Sequence, residues 1–379
     1  MIRAFFSFLL LLHGLIHLMG FAKAFNYADI SQLTQPISKW AGAAWGLTTL
    51  LFSAVTLLFL LKKESWWMIA VVAVLLSQIL ILSSWQDAKY GTLANFLITI
   101  AIVCAGADWS FKHLATKEVQ TLISQNNETM EVVSDAALSS LPPIVRTWLH
   151  RSNAAGNKAV STVHLKQKGS MRTTIDGKWM PVTAEQYFTT NPPGFLWLAN
   201  VEMMPLIHLA GRDKYMDGHG HMLIKALSLI PVANAKGPET DQGTLLRFLA
   251  EIIWFPSAAL EPYVKWESIS ATMAKATMDY GGTVASGIFT FSPEGDMVSF
   301  EADRYYNRQG TSSLERWHIQ ANEWKDFNGA RVPSICEVTW KLNEGDFTWF
   351  RLEVTDVKYD FTEEMPVIQN TIGEPSAVK

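Results

Sequence analysis

The sequence predicts four transmembrane helices followed by an α+β domain, in which a large curved antiparallel sheet packs one helix, at about residues 241–255, on its concave side. Apolar runs without charge fill most of residues 1–110, whereas most charged residues lie in 112–379. After Gly156 apolar and polar residues alternate, and one stretch there has helical periodicity. We predict four segments: a four-helix transmembrane domain (1–111), a linker (112–140), an antiparallel β-rich domain (141–365) and a flexible tail (366–379).

Four uncharged apolar runs predict the membrane helices. The first run, 4–22, has nineteen residues, and about 20 residues are needed to cross the hydrocarbon layer as a helix. The other runs are 40–61, 65–86 and 90–107. Tryptophans lie at or near the ends of these runs, where amphipathic rings prefer the headgroup level of a bilayer, and this placement supports the boundaries.

The first run has a second interpretation, as a signal peptide, because Arg3 supplies a basic start and residues 22–24 have the small-x-small form of a cleavage site. The run is long for such a segment, so we favour a membrane helix. With the N-terminus on the cytoplasmic side, five Lys and Arg residues lie on that side of the membrane and three lie on the opposite side. This asymmetry predicts a multi-pass protein of the bacterial inner membrane with a cytoplasmic C-terminal domain.

Two histidines in the first run are candidate functional residues. His13 and His17 are four residues apart, so both project from one face of a helix. Ionisable groups at membrane depth suggest a metal, a haem or a proton path. The alternative, which we favour, is helix packing, with the histidines hydrogen-bonded to Gln78 or Asn95 on neighbouring helices.

Alternating segments predict the strands of the second half. Residues 163–169, 185–188, 297–302 and 336–342 have period two, and Gly-, Pro- and Asn-containing turns separate them. Short connections of this kind join antiparallel strands. We expect nine or ten strands and no alternating strand-helix pattern of a parallel sheet.

The helix at about 241–255 is predicted from charge and periodicity. Glu239 and Asp241 crowd its start, where the helix dipole favours negative charge, and Thr240 or Asp241 can cap it. Apolar residues recur through 245–253 at helical spacing, and Pro256 ends the pattern. We expect the sheet to close against this helix.

Composition excludes several classes of function. A formal net charge of −4 supplies no basic face for nucleic acid, so we expect no nucleic-acid partner. Two cysteines cannot form a disulfide framework or a cysteine zinc cage. The second half has no phosphate loop, dinucleotide fingerprint or nucleophile elbow, so we predict no cofactor and no catalytic residues, and we lean against a conventional enzyme.

A metal-dependent hydrolase is the alternative enzyme hypothesis. Asp213, Asp217, His219 and His221 combine carboxylates with two histidines at i and i+2, which point the same way on a strand and could hold zinc. Flanking glycines mark a turn, and histidines at exposed turns usually bind nothing, so we predict no metal site.

A second polar set can supply an acid, a base and a substrate clamp, or simply fix a loop to the sheet: Arg212, Asp213, Glu239, Asp241 and Arg247.

Aromatic and methionine residues are more numerous in this half than one small core needs. The set comprises Phe195, Trp197, Met203, Met204, Trp254, Phe255 and Trp266. Methionine gives a soft, adaptable lining, so the set can form core, the wall of an apolar pocket or a membrane-facing rim. The predicted ligand-binding residues are Trp197, Met204, Arg212, Arg247, Trp254 and Phe255.

Residues 138–360 resemble an uncharacterised bacterial membrane-anchored family, a domain of unknown function. The matching segments are LPPIVRTWL (141–149), PVTAEQYFTTNPPGFLW (181–197), GRDKYMDGHG (211–220), GPETDQGTLLRFLAEIIWFPSAAL (237–260) and RYY (304–306). The resemblance implies no reaction. A weaker similarity in strand rhythm is to lipoprotein carriers, in which a curved sheet wraps helices around a cavity for acyl chains.

Together these observations predict a membrane-anchored β-rich domain that binds an apolar or lipid-like ligand on the concave side of its sheet. Membrane lipids are the expected partners. The third hypothesis is a membrane assembly or interaction partner, which predicts a co-purifying protein and no small ligand.

Overall fold

The computed structural model describes residues 2–127, 131–308 and 310–361. The chain forms two compact units, which divide between Phe111 and Lys112. The predicted tail, 366–379, lies outside the described residues.

The first unit is helical. Its helices are α1 (Ile2–Ile16), α2 (Leu18–Ala24), α3 (Lys39–Leu60), α4 (Trp66–Ser83), α5 (Trp85–Ala88) and α6 (Gly91–Ser124), the last of which continues into the second unit. Among the described residues, four segments are long and apolar enough to cross a membrane, and they correspond to the four predicted runs: Ile2–Ala24, Lys39–Leu60, Trp66–Ser83 and Gly91–Ser124. The predicted number of apolar helices is confirmed.

A hydrogen-bonded network buries both histidines of the first unit. His13 Nε2 lies 2.9 Å from Asn95 Oδ1 and 3.2 Å from Ser77 Oγ, and His17 Nε2 lies 3.0 Å from the same hydroxyl. Asn95 in turn donates to Gln78. These contacts link α1, α4 and α6, which is the arrangement that the helix-packing hypothesis describes.

The second unit adds two short helices, α7 (Asp135–Leu138) and α8 (Pro143–Arg151), one interior helix, α9 (Pro238–Glu251), and thirteen strands in one sheet. The strands are β1 (Thr162–Met171), β2 (Met180–Thr190), β3 (Pro193–Met204), β4 (Ile207–Met216), β5 (His219–Ala226), β6 (Ile230–Lys236), β7 (Val264–Ser268), β8 (Met273–Tyr280), β9 (Thr283–Phe291), β10 (Met297–Arg308), β11 (Thr311–Phe327), β12 (Ala330–Leu342) and β13 (Gly345–Tyr359). The expected nine or ten strands were too few, because short edge strands such as β6, with seven residues, and β7, with five, give little periodic signal.

Every strand pair in the sheet is antiparallel, and the order is β6-β5-β4-β3-β2-β1-β13-β12-β11-β10-β9-β8-β7. Two meanders, β1–β6 and β7–β13, therefore meet where the first strand pairs with the last. Asp360 Oδ1 reinforces this seam by accepting hydrogen bonds from the backbone N–H groups of Ser161 and Thr162.

Helix α9 lies in the hollow of the sheet. It contacts β4, β5 and β6 near one end of the strand order and β8, β9 and β10 near the other. A flat sheet cannot bring both ends to one helix, so the sheet is strongly curved. The predicted α+β fold, with a helix on the concave side of a curved antiparallel sheet, is confirmed.

The bounds of α9 differ from the predicted 241–255. The helix begins at Pro238, because proline is favoured at the first helical position, where its missing N–H has no role. Asp241 caps nothing. Its carboxylate accepts from the backbone N–H of Gly220 at 2.6 Å, which ties the helix to β5. After Glu251 the chain tightens into 3₁₀ turns around Pro256.

Two hairpin turns meet where the sheet curls over α9. A Cβ atom on Gly218, between β4 and β5, would lie 2.8 Å from the Cα of Gly281, between β8 and β9. Both residues have positive φ, which glycine adopts without strain. Only glycines allow this approach of two backbones.

Residues 112–124, which open the predicted linker, are helical. The polar composition of this stretch conceals an apolar stripe, and Val119 and Leu122 pack against Tyr187, Leu196 and Met216 of the sheet. Because these strand residues alternate with the concave-face positions, this end of α6 covers the convex face.

Candidate functional site

A row of aligned residues crosses the concave face beside α9. Gln186 pairs with Trp197, Trp197 with Asp213, and Asp213 with Met222. Residues directly opposite in neighbouring strands point to the same face. The row therefore presents an amide, an indole and a carboxylate to α9, which places Arg247 and Glu251 above it.

Arg247 is the centre of a buried ionic cluster. Its guanidinium contacts Asp213 Oδ2 at 2.8 Å and Glu251 Oε1 at 2.8 Å, and it lies 4.8 Å from the centre of the Trp197 ring. Gln186 donates to the other oxygen of Glu251 at 2.7 Å. Burial by itself lowers the pKa of Arg247, but the charges of Glu251 and Asp213 raise it overall. The cluster fixes α9 to the sheet.

Arg304, on β10, reaches the same interior from the other meander. Its guanidinium stacks over Trp317 at 4.6 Å from the ring centre and lies 5.9 Å from that of Trp340. Gly243 of α9 lies beside it, and a Cβ there would be in van der Waals contact with Arg304 Nε at 3.4 Å. Burial lowers the pKa of Arg304 to about 10, against the attraction of Asp213. The described residues offer this guanidinium no hydrogen-bond acceptor.

A cavity of about 580 Å³ opens between these groups and the start of α9. It is lined by Asp213, Met222, Ala235, Lys236, Gly237, Pro238, Glu239, Thr240, Gly243, Thr244, Arg304, Tyr305, Asn307 and Ser312. Oδ1 of Asp213 is buried and has no hydrogen-bond partner among the residues that the structure describes. An unpartnered cation and an unpartnered carboxylate oxygen thus line one cavity.

The structure separates the two arginines of the predicted ligand site. Arg212 is 2% exposed and lies on the convex face, where it pairs with Glu118 of α6 at 3.2 Å and donates to the carbonyl of His221. The position differs from the prediction because Arg212 and Asp213 are adjacent in a strand and must point to opposite faces. Arg212 anchors α6, and only Arg247 faces the concave side.

The aromatic residues of the predicted site have different surroundings. Trp254 and Phe255 are 3% and 0% exposed and belong to the core of the domain. Trp254 Nε1 donates to the carbonyl of Pro333, and Phe255 packs on Phe188. Trp197 is half-buried in the ionic cluster, and Met204 is exposed at the end of β3. The cavity beside Arg304 is lined by none of these four residues.

The residues of the hydrolase hypothesis do not converge. His221 lies opposite Lys214 in the β4–β5 pair, so its side chain and that of Asp213 point to opposite faces. His221 bonds Asn234 at 2.8 Å, whereas His219 is exposed beside Asp241. Among the described residues, no group of three His, Cys, Asp or Glu side chains could hold a metal ion.

Three residues of the site escaped sequence reasoning: Gln186, Glu251 and Arg304. Glu251 follows Arg247 by four residues, a spacing that signals a helical ion pair. Gln186 and Arg304 carry no comparable local signal, because their partners are contributed by distant strands and by α9.

A family model described as a family of unknown function (DUF6544) matches residues 131–352. None of the curated proteins that were compared matches the chain. One similar solved structure is a domain of an outer membrane lipoprotein-sorting protein from Vibrio parahaemolyticus, with a TM-score of 0.33 and 9% identity over 60% of this chain and 95% of the other. Another is a DUF1329 family protein from Desulfovibrio piger, with a TM-score of 0.30 and 8% identity over 59% and 95%.

Proposed function

The chain belongs to the DUF6544 family of unknown function, and on that premise we propose that it is a membrane-anchored protein whose sheet domain binds a lipid-like amphiphile. Its polar group would occupy the cavity at the start of α9, against Arg304 and Asp213. This site replaces the predicted pocket wall at Trp254 and Phe255, whose burial supports a core role. We propose no reaction.

The observation that carries the proposal is the pair of unpartnered groups in one cavity. Buried polar groups almost always have hydrogen-bond partners, and the exceptions call for an explanation such as a bound molecule. Asp213 Oδ1 is such an exception, because it is buried and lacks a donor. Arg304 is half-buried, and its guanidinium has aromatic neighbours but no acceptor among the described residues. A head group with an anionic oxygen for Arg304 and a hydroxyl for Asp213 would satisfy both.

Charge and size support an anionic amphiphile. Asp213 is already paired with Arg247, and Glu239 accepts a hydrogen bond from Ser312. Two cations also line the cavity, the half-buried Arg304 and the exposed Lys236. The free N–H groups of the first turn of α9 also favour an anion. The cavity volume is within the range of about 300–1,000 Å³ of small-molecule sites, and Met222, Ala235 and Pro238 give it apolar walls.

Retention of a fluorescent fatty acid by the purified full chain in detergent tests the proposal. Arg304→Gln keeps a polar side chain of similar reach but removes the charge, so we expect weaker retention. Arg316→Gln is the matched control, because Arg316 is exposed and pairs with the exposed Asp303. A fluorescent alcohol of equal chain length should not discriminate between the variants.

Two results would overturn this proposal. One is equal retention of the fatty acid by wild type and Arg304→Gln, with both variants folded by circular dichroism. The other is no retention by the wild type from vesicles that contain the probe.

The membrane placement is also our proposal. The four apolar helices support membrane association, and the five-to-three distribution of Lys and Arg favours an inner-membrane, multi-pass chain with the sheet domain in the cytoplasm. Reporter fusions after Lys117 that are active only when exported should be silent. Active fusions would place the domain on the opposite side.

A further inference from the structure

Two neighbouring turns at one edge of the sheet form an apolar tip, which we define as residues 203–207 and 227–232. Neither segment contains a charged residue: the first is MMPLI and the second is LSLIPV. Seven large apolar side chains of the tip are between 37% and 69% exposed. They are Met203, Met204, Leu206, Ile207, Leu229, Ile230 and Val232.

The two turns form one surface. Leu209 and Ala226 are direct partners in the β4–β5 ladder, and the backbone N–H of Leu227 donates to the carbonyl of His208 at 2.9 Å. Large exposed apolar side chains elsewhere in the described part of the second unit do not form a comparable cluster, although Tyr305 and Leu314 are cross-strand partners. Single exposed apolar residues are ordinary, whereas a contiguous patch marks an interaction surface.

We propose that the apolar tip inserts its side chains into the surface of a lipid bilayer. The chain carries four helices able to cross a membrane, so a bilayer is the apolar phase at highest local concentration around the sheet domain. The lack of charge suits lipid, since each inserted charge would be costly to desolvate. Bonds such as Leu229 N–H to the carbonyl of Ala226, at 3.0 Å, satisfy turn backbone internally, as an apolar phase requires.

The edge strand β6 argues against a protein strand as the occupant. Strand addition needs a row of free backbone donors and acceptors. Pro231 removes one donor from β6, and a bulge between Ile224 and Lys225 interrupts its pairing with β5. Insertion of side chains into lipid needs no free backbone donors or acceptors.

Fluorescent labels on the reconstituted full chain test the proposal. Single cysteines replace Leu206 or Ile230, and Leu314 is the matched control, since it is 55% exposed against 58% for Ile230 and lies on β11. Cys104 is replaced by Ala. Cys336 can stay, because it is buried and burial raises the pKa of its thiol to about 12. The vesicles contain equal parts of a zwitterionic and an anionic phospholipid.

We expect the emission of labels at 206 and 230, but not at 314, to shift to the blue in vesicles relative to detergent. Nitroxides on the lipid acyl chains should then quench both tip labels. Adding Ile230→Asp should reduce the shift of a label at 206. Emission equal to that of the control would overturn the proposal. So would a blue shift without quenching by lipid nitroxides, because it would mean that protein covers the tip.

Discussion

Trp254 and Arg304 are both bulky interior residues, but their surroundings assign them different roles. Trp254 is 3% exposed, belongs to the hydrophobic core and has a satisfied indole N–H. Arg304 has two indole rings beneath it, a glycine beside it and a cavity beyond it. Substitution of the first should change stability, and substitution of the second should change ligand retention.

Trp254→Ala should destabilise the sheet domain by about 3–5 kcal/mol, because it removes a fully packed side chain from the core. Leu314→Ala, at an exposed position, should stay within about 0.5 kcal/mol of wild type. Urea unfolding of the full chain in detergent, followed by circular dichroism, measures both. Equal midpoints for the two variants would show that Trp254 lines open space.

Glu185 should make stability depend on pH. It lies 3.2 Å from His164 Nε2 and accepts from the Tyr187 hydroxyl at 3.1 Å. Burial raises its pKa, but His164 and its other partners lower it overall from the ordinary value of 4.5. Its contribution is therefore complete above pH 4.5 and is lost as the pH falls through the lower, folded-state pKa.

The melting temperature of Glu185→Gln should consequently lie below that of wild type near neutral pH, and the difference should shrink as the pH falls below 4.5. Glu267→Gln, in an exposed pair with Lys275, should show a small difference at every pH. A gap between wild type and Glu185→Gln that stays constant down to acid unfolding would contradict the assigned pKa direction.

At the scale of elements, two glycine-to-alanine substitutions separate the energy of the contact between the β4–β5 and β8–β9 turns from the cost of backbone strain. Gly282 has a φ of +79°, and a Cβ placed on it would have no atom within 4 Å. Gly218 has a φ of +81°, and a Cβ placed on it would lie 2.8 Å from the Cα of Gly281. Gly282→Ala should cost about 1–2 kcal/mol of backbone strain. Gly218→Ala should cost that amount and about 1–3 kcal/mol more from overpacking.

The free energies of unfolding of the two variants, compared in the same detergent, provide the measurement. Equal losses would mean that the turns separate easily and that the curl of the sheet does not depend on their contact.

Local signals explain which elements could be predicted from sequence. Uncharged runs and tryptophans mark the apolar helices, Asp217-Gly218 and Gly281-Gly282 mark turns, and Pro256 ends the helical pattern. The site depends on contacts between distant residues. Arg304 meets Gly243 across two elements, and the convex position of Arg212 requires α6 to supply Glu118. Strand parity alone would have separated Arg212 from Asp213.

At the scale of the whole molecule, the sheet depends on its last strand. β13 pairs with β1 on one side and β12 on the other, and it joins the two meanders. A chain that ends after Leu342 should therefore lack a protease-resistant sheet domain, whereas the full chain should yield one. Limited proteolysis in detergent tests this, and a resistant fragment that contains β1–β6 from the shortened chain would show that the first meander is stable alone.

The seam between β1 and β13 also sets the order of events during translation. The ribosome has completed β1–β6 while about 120 residues, from Lys236 to Tyr359, are still to be made, which takes on the order of 10 seconds. Through that interval a nascent half-sheet carries Phe188 and Phe195 without β7–β13, which contribute residues to the same hydrophobic core. Rapid release or early membrane capture of the chain would shorten this exposure, and stalled synthesis would prolong it.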